Sequence, residues 1–313
     1  MPDAPTKIII DTDPGIDDVV ALALAALSPE LDIVAITTTY GNVSLDLATS
    51  NAHRLLDLTN SSRIPVYPGS DRPMLRDLVT AADTHGQSGI GYASSGPKTE
   101  VTPNRTAILN ALRDEPKPIT LVTLGPLTNL AHALEADPVL VKERITRHIG
   151  MFGNLHERGN TNRWADFNAW CDPEATKSVL KAQLPTEMVG LDVTRQMVVS
   201  GRETDWLCDC GDRLAAWLGQ ALRFYVEFHQ LQESLDGCVV NDILPVGELL
   251  HPGLLGYETH QVDVDLSAGE ERGRTRTDKK GFRTQVATSV DINMMRKLLD
   301  RVFSSNWRKP LEE

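Results

Sequence analysis

The sequence predicts one α/β domain: an open, largely parallel, twisted sheet with helices on both faces, in the Rossmann-like manner. Three observations predict it. Short β-branched runs alternate with longer amphipathic ones; most of the short runs are apolar on both faces; and no fixed-period repeat or low-complexity linker divides the 313 residues. Strands apolar on both faces and joined by helices belong in a parallel sheet covered on both sides.

Ile8-Ile9-Ile10 is the first buried strand. Asp17 to Leu27 carries apolar residues at helical spacing and stops at Ser28-Pro29. Ile33 to Thr39 is a second strand, followed by Gly41-Asn42 and a helix from Leu45 to Leu58. Pro65-Val66-Tyr67, Ile119 to Thr123, Ile149-Gly150-Met151 and Met188 to Leu191 are further strands, most with a helical segment after them. Right-handed crossovers bring the ends of such strands to one edge, where ligands of open α/β sheets bind.

A single domain over residues 1–313 is expected, with two segments that break the alternation. The stretch near 80–98 is rich in Gly and Ser and reads as a mobile loop beside a site. The stretch near 267–281 is dense in Arg and Lys but also holds Glu270, Glu271 and Asp278, so it reads as a solvated polar hairpin or loop rather than a nucleic-acid patch.

Composition narrows the function. With 41% hydrophobic and 24% charged residues the chain is an ordinary globular protein. A net charge of −12 argues against binding nucleic acid, which needs Lys and Arg facing phosphates, and favours cations. The apolar run near the N-terminus is too short for a signal-peptide core, and no stretch is long enough to span a membrane; a cytoplasmic protein is expected. Cys171, Cys208, Cys210 and Cys238 lack paired zinc-ligand spacing and read as reduced structural thiols.

The most informative segment is Asp11-Thr12-Asp13-Pro14-Gly15-Ile16-Asp17-Asp18. Asp11 and Asp13, two apart at the end of a strand, can share a face. Pro14-Gly15 turns the chain, and Asp17 and Asp18 open the next helix, pointing about 100° apart, so that one can hold a cation while the other reaches a ligand. Capping explains one or two acids at a helix start. It does not explain four in eight residues, whose mutual repulsion a divalent cation would relieve. All-oxygen ligation suits Ca²⁺ or Mg²⁺, and the spacing does not choose between them.

Read with its neighbours, this octet resembles the signature of the inosine–uridine-preferring nucleoside hydrolases. The resemblance continues in order through Tyr40-Gly41-Asn42-Val43, His85-Gly86-Gln87-Ser88-Gly89-Ile90-Gly91, Leu124-Gly125-Pro126-Leu127-Thr128-Asn129, Gly159-Asn160, Asp166-Phe167-Asn168, Asp172-Pro173-Glu174-Ala175 and Asn241-Asp242. It implies the nucleoside hydrolase fold and hydrolysis of the N-glycosidic bond of ribonucleosides to free base and ribose, dependent on Ca²⁺. By position it implies Asp13, Asp18, Asp242 and the backbone carbonyl of Leu124 as metal ligands, with Asp13 also the base that deprotonates water. It further implies ribose contacts from Asp17, Asn160, Asp166 and Asn168, and pocket positions for Asn42 and Met151; His85, in the 80–98 loop, is expected to bind substrate through the ribose rather than to protonate the base. The resemblance implies a small-molecule nucleoside as partner, and the expected assembly is a homodimer or homotetramer, with neither nucleic acid nor membrane as partner.

Two departures from the family pattern stand out. Many relatives carry His immediately before the last metal ligand, where it can protonate the departing base; here Asn241 stands there, and an amide is no general acid. His229, in a predicted helix upstream, is the candidate to take over that proton transfer. Asp166 replaces the usual Glu and is shorter by one methylene, which draws its carboxylate back from the ribose. Trp164 and Trp170 flank it and read as core rather than as a platform for a purine.

Two rivals are a non-catalytic nucleoside- or ribose-binding protein, suggested by Asn241, and a haloacid-dehalogenase-like phosphatase, whose nucleophile loop Asp11-x-Asp13 would imitate.

Overall fold

Ile8 and Ile10 pack on one side of the central sheet and Ile9 on the other, dividing the core in two. This is the pleat of a strand buried on both faces. The computed structural model describes residues 4–303; residues 1–3 and 304–313 of the expected domain lie outside them.

In chain order the elements begin with β1 (Thr6–Thr12), α1 (Ile16–Leu27), β2 (Leu31–Thr38), α2 (Leu45–Leu58), β3 (Val66–Pro68), α3 (Ala82–His85), α4 (Ala107–Asp114) and β4 (Ile119–Thr123). There follow α5 (Thr128–Ala136), α6 (Pro138–Arg144), β5 (Ile145–Met151), α7 (Phe167–Cys171), α8 (Pro173–Ala182), β6 (Thr186–Val189), α9 (Leu191–Thr194) and β7 (Val198–Val199). The last are α10 (Gly201–Asp209), α11 (Arg213–Glu233), β8 (Cys238–Val239), α12 (Ile243–Leu250), β9 (Leu255–Val264), β10 (Thr275–Thr277), β11 (Phe282–Val290) and α13 (Ile292–Phe303).

Nine strands form one sheet in the order β10-β9-β11-β6-β5-β4-β1-β2-β3, and β7 pairs with β8 separately. From β11 to β3 every pairing is parallel, while β9 runs antiparallel to both β10 and β11. Helices α1, α2, α11, α12 and α13 cover one face with Val19, Leu55, Leu222 and Leu244, and α4, α5, α6 and α8 cover the other with Leu112, Leu130, Val141 and Val179. The doubly covered, largely parallel architecture is the one predicted.

The chain builds outward from β1 through β2 to β3, then returns to the other flank of β1 with β4. Order therefore reverses between β1 and β4, and at such a switch point the strand ends splay into a crevice. Asp13 leaves β1 and Leu124 leaves β4 at that point.

The elements depart from the prediction in two places. Met188 to Leu191 does not stay extended: β6 ends at Val189 and Gly190 starts the short helix α9. The antiparallel edge β9–β11 was not anticipated, because charged residues every few positions obscured its alternation. No described helix is long and apolar enough to cross a membrane.

The two irregular segments are tied to the fold. His85, Ile90 and Ala93 of the 80–98 stretch are buried, and Asn51 Nδ2 bridges it to the acidic loop by donating to the carbonyls of Ser88 and Pro14. In the 267–281 stretch, β10 pairs back on β9, and the preceding turn lays the Arg272 guanidinium 4.1 Å from the Trp170 ring centre and that of Arg274 4.4 Å from Trp164.

Candidate active site

At the switch point Asp17, from the acidic loop, and Asp242 line a cavity of about 730 Å³. Asp17 and Asp18 occupy the first turn of α1, and Asp242 stands immediately before α12. One carboxylate oxygen from each of the three lies within 4.8 Å of the others. The sequence separated the tasks of Asp17 and Asp18; the fold gathers both around Asp242, because α12 approaches the first turn of α1 from across the crevice.

Asp13 stands beside this trio. Its Oδ2 accepts the backbone N–H of Asn42 at 2.6 Å, whereas its Oδ1 is buried with no hydrogen-bond partner among the described residues. Asp18 is held on both oxygens: Oδ1 accepts from Thr12 Oγ1 at 2.5 Å, and Oδ2 from the backbone N–H of Gly15 at 2.9 Å and from Asn42 Nδ2 at 2.8 Å. Asn42 thus clamps Asp13 with its backbone and Asp18 with its side chain.

Burial, then repulsion from Asp18 and Asp17, pushes the Asp13 carboxyl well above its usual range. Asp242 is raised well above it for the same reasons, and Asp17 and Asp18 are raised chiefly by burial. Buried carboxylates this close need protons or a cation. The donors are all oxygen, and the orphaned Asp13 Oδ1 awaits a partner; both features fit a hard divalent cation. The Leu124 carbonyl accepts one hydrogen bond, from Asn168 Nδ2 at 2.7 Å, and keeps a second lone pair.

One wall of the cavity comes from the segment between β5 and α7. Asn168 Nδ2 also donates to the Met151 carbonyl at 2.9 Å, so this amide ties β4, β5 and α7 together. Asn160 lines the cavity, with its Oδ1 accepting the backbone N–H of Phe167 at 2.8 Å. Asp166 caps α7: its carboxylate accepts backbone N–H groups from Gly153 at 2.7 Å, Ala169 at 2.8 Å and Asn168 at 3.3 Å. The short side chain is what lets it turn back onto its own helix. Trp170 lines the cavity, and both tryptophans are half-buried and stacked with arginine rather than enclosed in the core.

The opposite end is aromatic. Tyr225 sits between His85 and His229, with ring centres 5.2 Å and 4.4 Å away. The backbone N–H of Ile16 donates to His85 Nδ1 at 3.1 Å, which places the proton of the neutral ring on Nε2. Burial holds the pKa of His85 down to about 4, so its 4.0 Å approach to Asp17 is not an ion pair at neutral pH. His229 has the opposite tautomer: Nδ1 donates to the Tyr225 carbonyl at 2.9 Å and leaves the Nε2 lone pair free. Burial lowers its pKa too, against the pull of that hydrogen bond, Glu233 and Asp17.

Asn241 turns away from the base end. Its Nδ2 donates to Asp17 Oδ2 at 3.1 Å and its backbone N–H approaches the same oxygen at 3.4 Å. Asp11, the nucleophile required by the phosphatase rival, is fully buried and does not line the cavity; its Oδ1 accepts from Thr37 and Asn129.

Of the residues singled out from the sequence, Asp17, Asn42, His85, Leu124, Met151, Asn160, Asp166, Asn168, Trp170, His229, Asn241 and Asp242 line this crevice, Asp13 and Asp18 are fully buried beside it, and Asp11 and Trp164 do not line it. Tyr225, Phe228 and Arg195 also line the cavity and were not picked out. Phe228 stands one residue before His229 and Tyr225 four before it, so the helical period running back from that histidine was the signal available.

Residues 8–297 match the family model described as inosine-uridine preferring nucleoside hydrolase. The chain is 35% identical over 299 residues to the inosine-uridine preferring nucleoside hydrolase of Leishmania major, covering 92% of this chain and 94% of that one. It is 34% identical over 293 residues to a pyrimidine-specific ribonucleoside hydrolase of Escherichia coli, covering 91% and 94%. Among solved structures, the purine-preferring ribonucleoside hydrolase of Gardnerella vaginalis superposes with a TM-score of 0.86 at 31% identity, covering 95% of this chain and 98% of that one.

Proposed function

The chain belongs to the inosine–uridine preferring nucleoside hydrolase family, and from that premise we propose that it cleaves ribonucleosides to base and ribose with a calcium ion held by Asp13, Asp18, Asp242 and the Leu124 carbonyl. One observation carries the reading: three carboxylates within 4.8 Å of one another, two of them, Asp17 and Asp242, lining a cavity at the switch point, beside a buried Asp13 whose Oδ1 has no partner among the described residues. When bound, the cation neutralises the carboxylates, helps to hold the ribose diol and makes a water easier to deprotonate.

The chain's own groups do the rest. Asp13, held in place by the backbone N–H of Asn42 on its Oδ2, takes the proton from the attacking water. Asp17, its Oδ2 pinned by Asn241, turns Oδ1 to a ribose hydroxyl. Asn160 and Asn168 offer their remaining amide capacity to the sugar, and Asp166 serves it by fixing the start of α7. Attack at the anomeric carbon passes through an oxocarbenium-like sugar, which these oriented contacts favour over the relaxed ring. At the far end, the neutral His85 presents an Nε2 proton to the base. His229, once protonated at Nε2, hands that proton to the departing nitrogen.

The test is release of reducing sugar from a panel of purine and pyrimidine nucleosides. Turnover abolished by EDTA and restored by Ca²⁺ supports the reading. Tight nucleoside binding without turnover overturns it in favour of a binding protein.

A further inference from the structure

Thr194 ends the short helix α9, is fully buried, and belongs to none of the groups assigned so far. Its Oγ1 donates to Asn241 Oδ1 at 2.8 Å, and Asn241 Nδ2 in turn donates to Asp17 Oδ2 at 3.1 Å. With Asp17 ionised, the direction of this chain of bonds follows. An ionised Asp17 can only accept, so the amide must turn Nδ2 toward it. Oδ1 then faces Thr194, whose hydroxyl must donate. With the backbone N–H of Asn241 also on Asp17 Oδ2 at 3.4 Å, that oxygen is fixed from one side; Asp17 lines the cavity, and its Oδ1 stands 4.0 Å from His85 Nδ1.

We infer that Thr194 is a positioning residue: through Asn241 it sets the orientation in which Asp17 meets a ribose hydroxyl. This rests on the reading of Asp17 as a ribose contact. It gives residue 241 a use other than proton transfer, namely aligning a carboxylate at the sugar end. Removing the Thr194 hydroxyl leaves the amide free to rotate and exposes Asp17 Oδ2 to the loss of its donor. A hydrogen bond to a charged group that is no longer held in place costs on the order of a factor of ten in an equilibrium.

The test is a double-mutant cycle of Thr194→Val and Asn241→Ala. Each member is measured for kcat/KM and, by calorimetry in Ca²⁺, for binding of a ribonucleoside and its 2′-deoxy and 3′-deoxy counterparts. Thr194→Val should weaken the ribonucleoside about tenfold in kcat/KM and in Kd. The loss should fall below about twofold for the deoxynucleoside lacking the hydroxyl that meets Asp17, and vanish in the Asn241→Ala background. Thr194→Ser, which restores the donor, should recover wild-type values and also shows that the site tolerates substitution. Equal losses on all three nucleosides, or losses that add in the cycle, overturn the inference. A wild-type protein that binds nucleosides but turns none over sinks the hydrolase reading and still leaves the cycle readable in Kd.

Discussion

Oδ2 of Asp13 lies 1.9 Å from the point where a β-carbon on Gly41 would stand. Gly125 closes the other side, its would-be β-carbon 2.5 Å from Asp13 Oδ1. The carboxylate is gripped between two residues that have no side chain to intrude. Gly41→Ala should therefore displace Asp13 and, by the size of a lost general base, lower kcat/KM by roughly 10²–10⁴-fold, much as Asp13→Asn does. Steady-state kinetics on the preferred nucleoside measures both, and wild-type kcat in Asp13→Asn would falsify the base assignment.

Ca²⁺ should stabilise the folded chain. Four buried carboxylates sit at the start of α1 and around it, and a ligand that binds only the native state at a hundred times its Kd contributes about 2.7 kcal/mol. Thermal unfolding in EDTA and after Ca²⁺ is restored should differ by several degrees. Asp242→Asn should shrink the difference; an unchanged midpoint in the wild type would remove the cation from this cluster.

His229→Ala should slow inosine more than p-nitrophenyl riboside, whose leaving group departs without a proton. Burial lowers the His229 pKa, so the protonated form grows as pH falls, and the wild-type advantage on inosine should widen in the same direction. Equal losses on the two substrates take His229 out of the proton transfer.

His148 offers a pH test away from the site. It lies within β5, its Nε2 2.9 Å from Thr123 Oγ1 and its Nδ1 3.1 Å from Thr186 Oγ1, and burial pushes its pKa from 6.5 down to about 3. The unfolded chain binds this proton before the folded one does. Its contribution is therefore present above pH 6.5 and is lost as pH falls toward 3. At pH 5 the loss is about 2 kcal/mol. Urea unfolding at pH 7 and pH 5 should show a difference smaller by that amount in His148→Gln; the same pH slope in both proteins would contradict it.

The floor of the site was legible because it is local. Asp13, Asp17 and Asp18 stand within six residues of one another, and their crowding is visible in the sequence before any fold is known. Asp242 and Leu124 entered through resemblance, since nothing in an isolated Asp or Leu announces a metal. The parallel sheet was legible from runs such as Ile8-Ile9-Ile10, apolar on both faces, while the β9–β11 edge was hidden by polar residues on its exposed positions. Asp166 was read by its length alone; its three backbone donors come from Gly153, Asn168 and Ala169, and only the folded turn brings Gly153 near. Thr194 was invisible for the same reason. A buried threonine after a strand is ordinary until its hydroxyl is seen to meet Asn241.

The bonds from Asn241 to Asp17 join residues 224 positions apart. Such a contact closes nearly the whole chain into a loop, and topologies dominated by distant pairings form slowly. A ribosome-bound chain that has not yet released residue 242 holds three of the four carboxylates and none of their closure. On the proposed ligand set, cation capture therefore comes late in synthesis, as a latch that a truncated product stopping short of α12 does not carry.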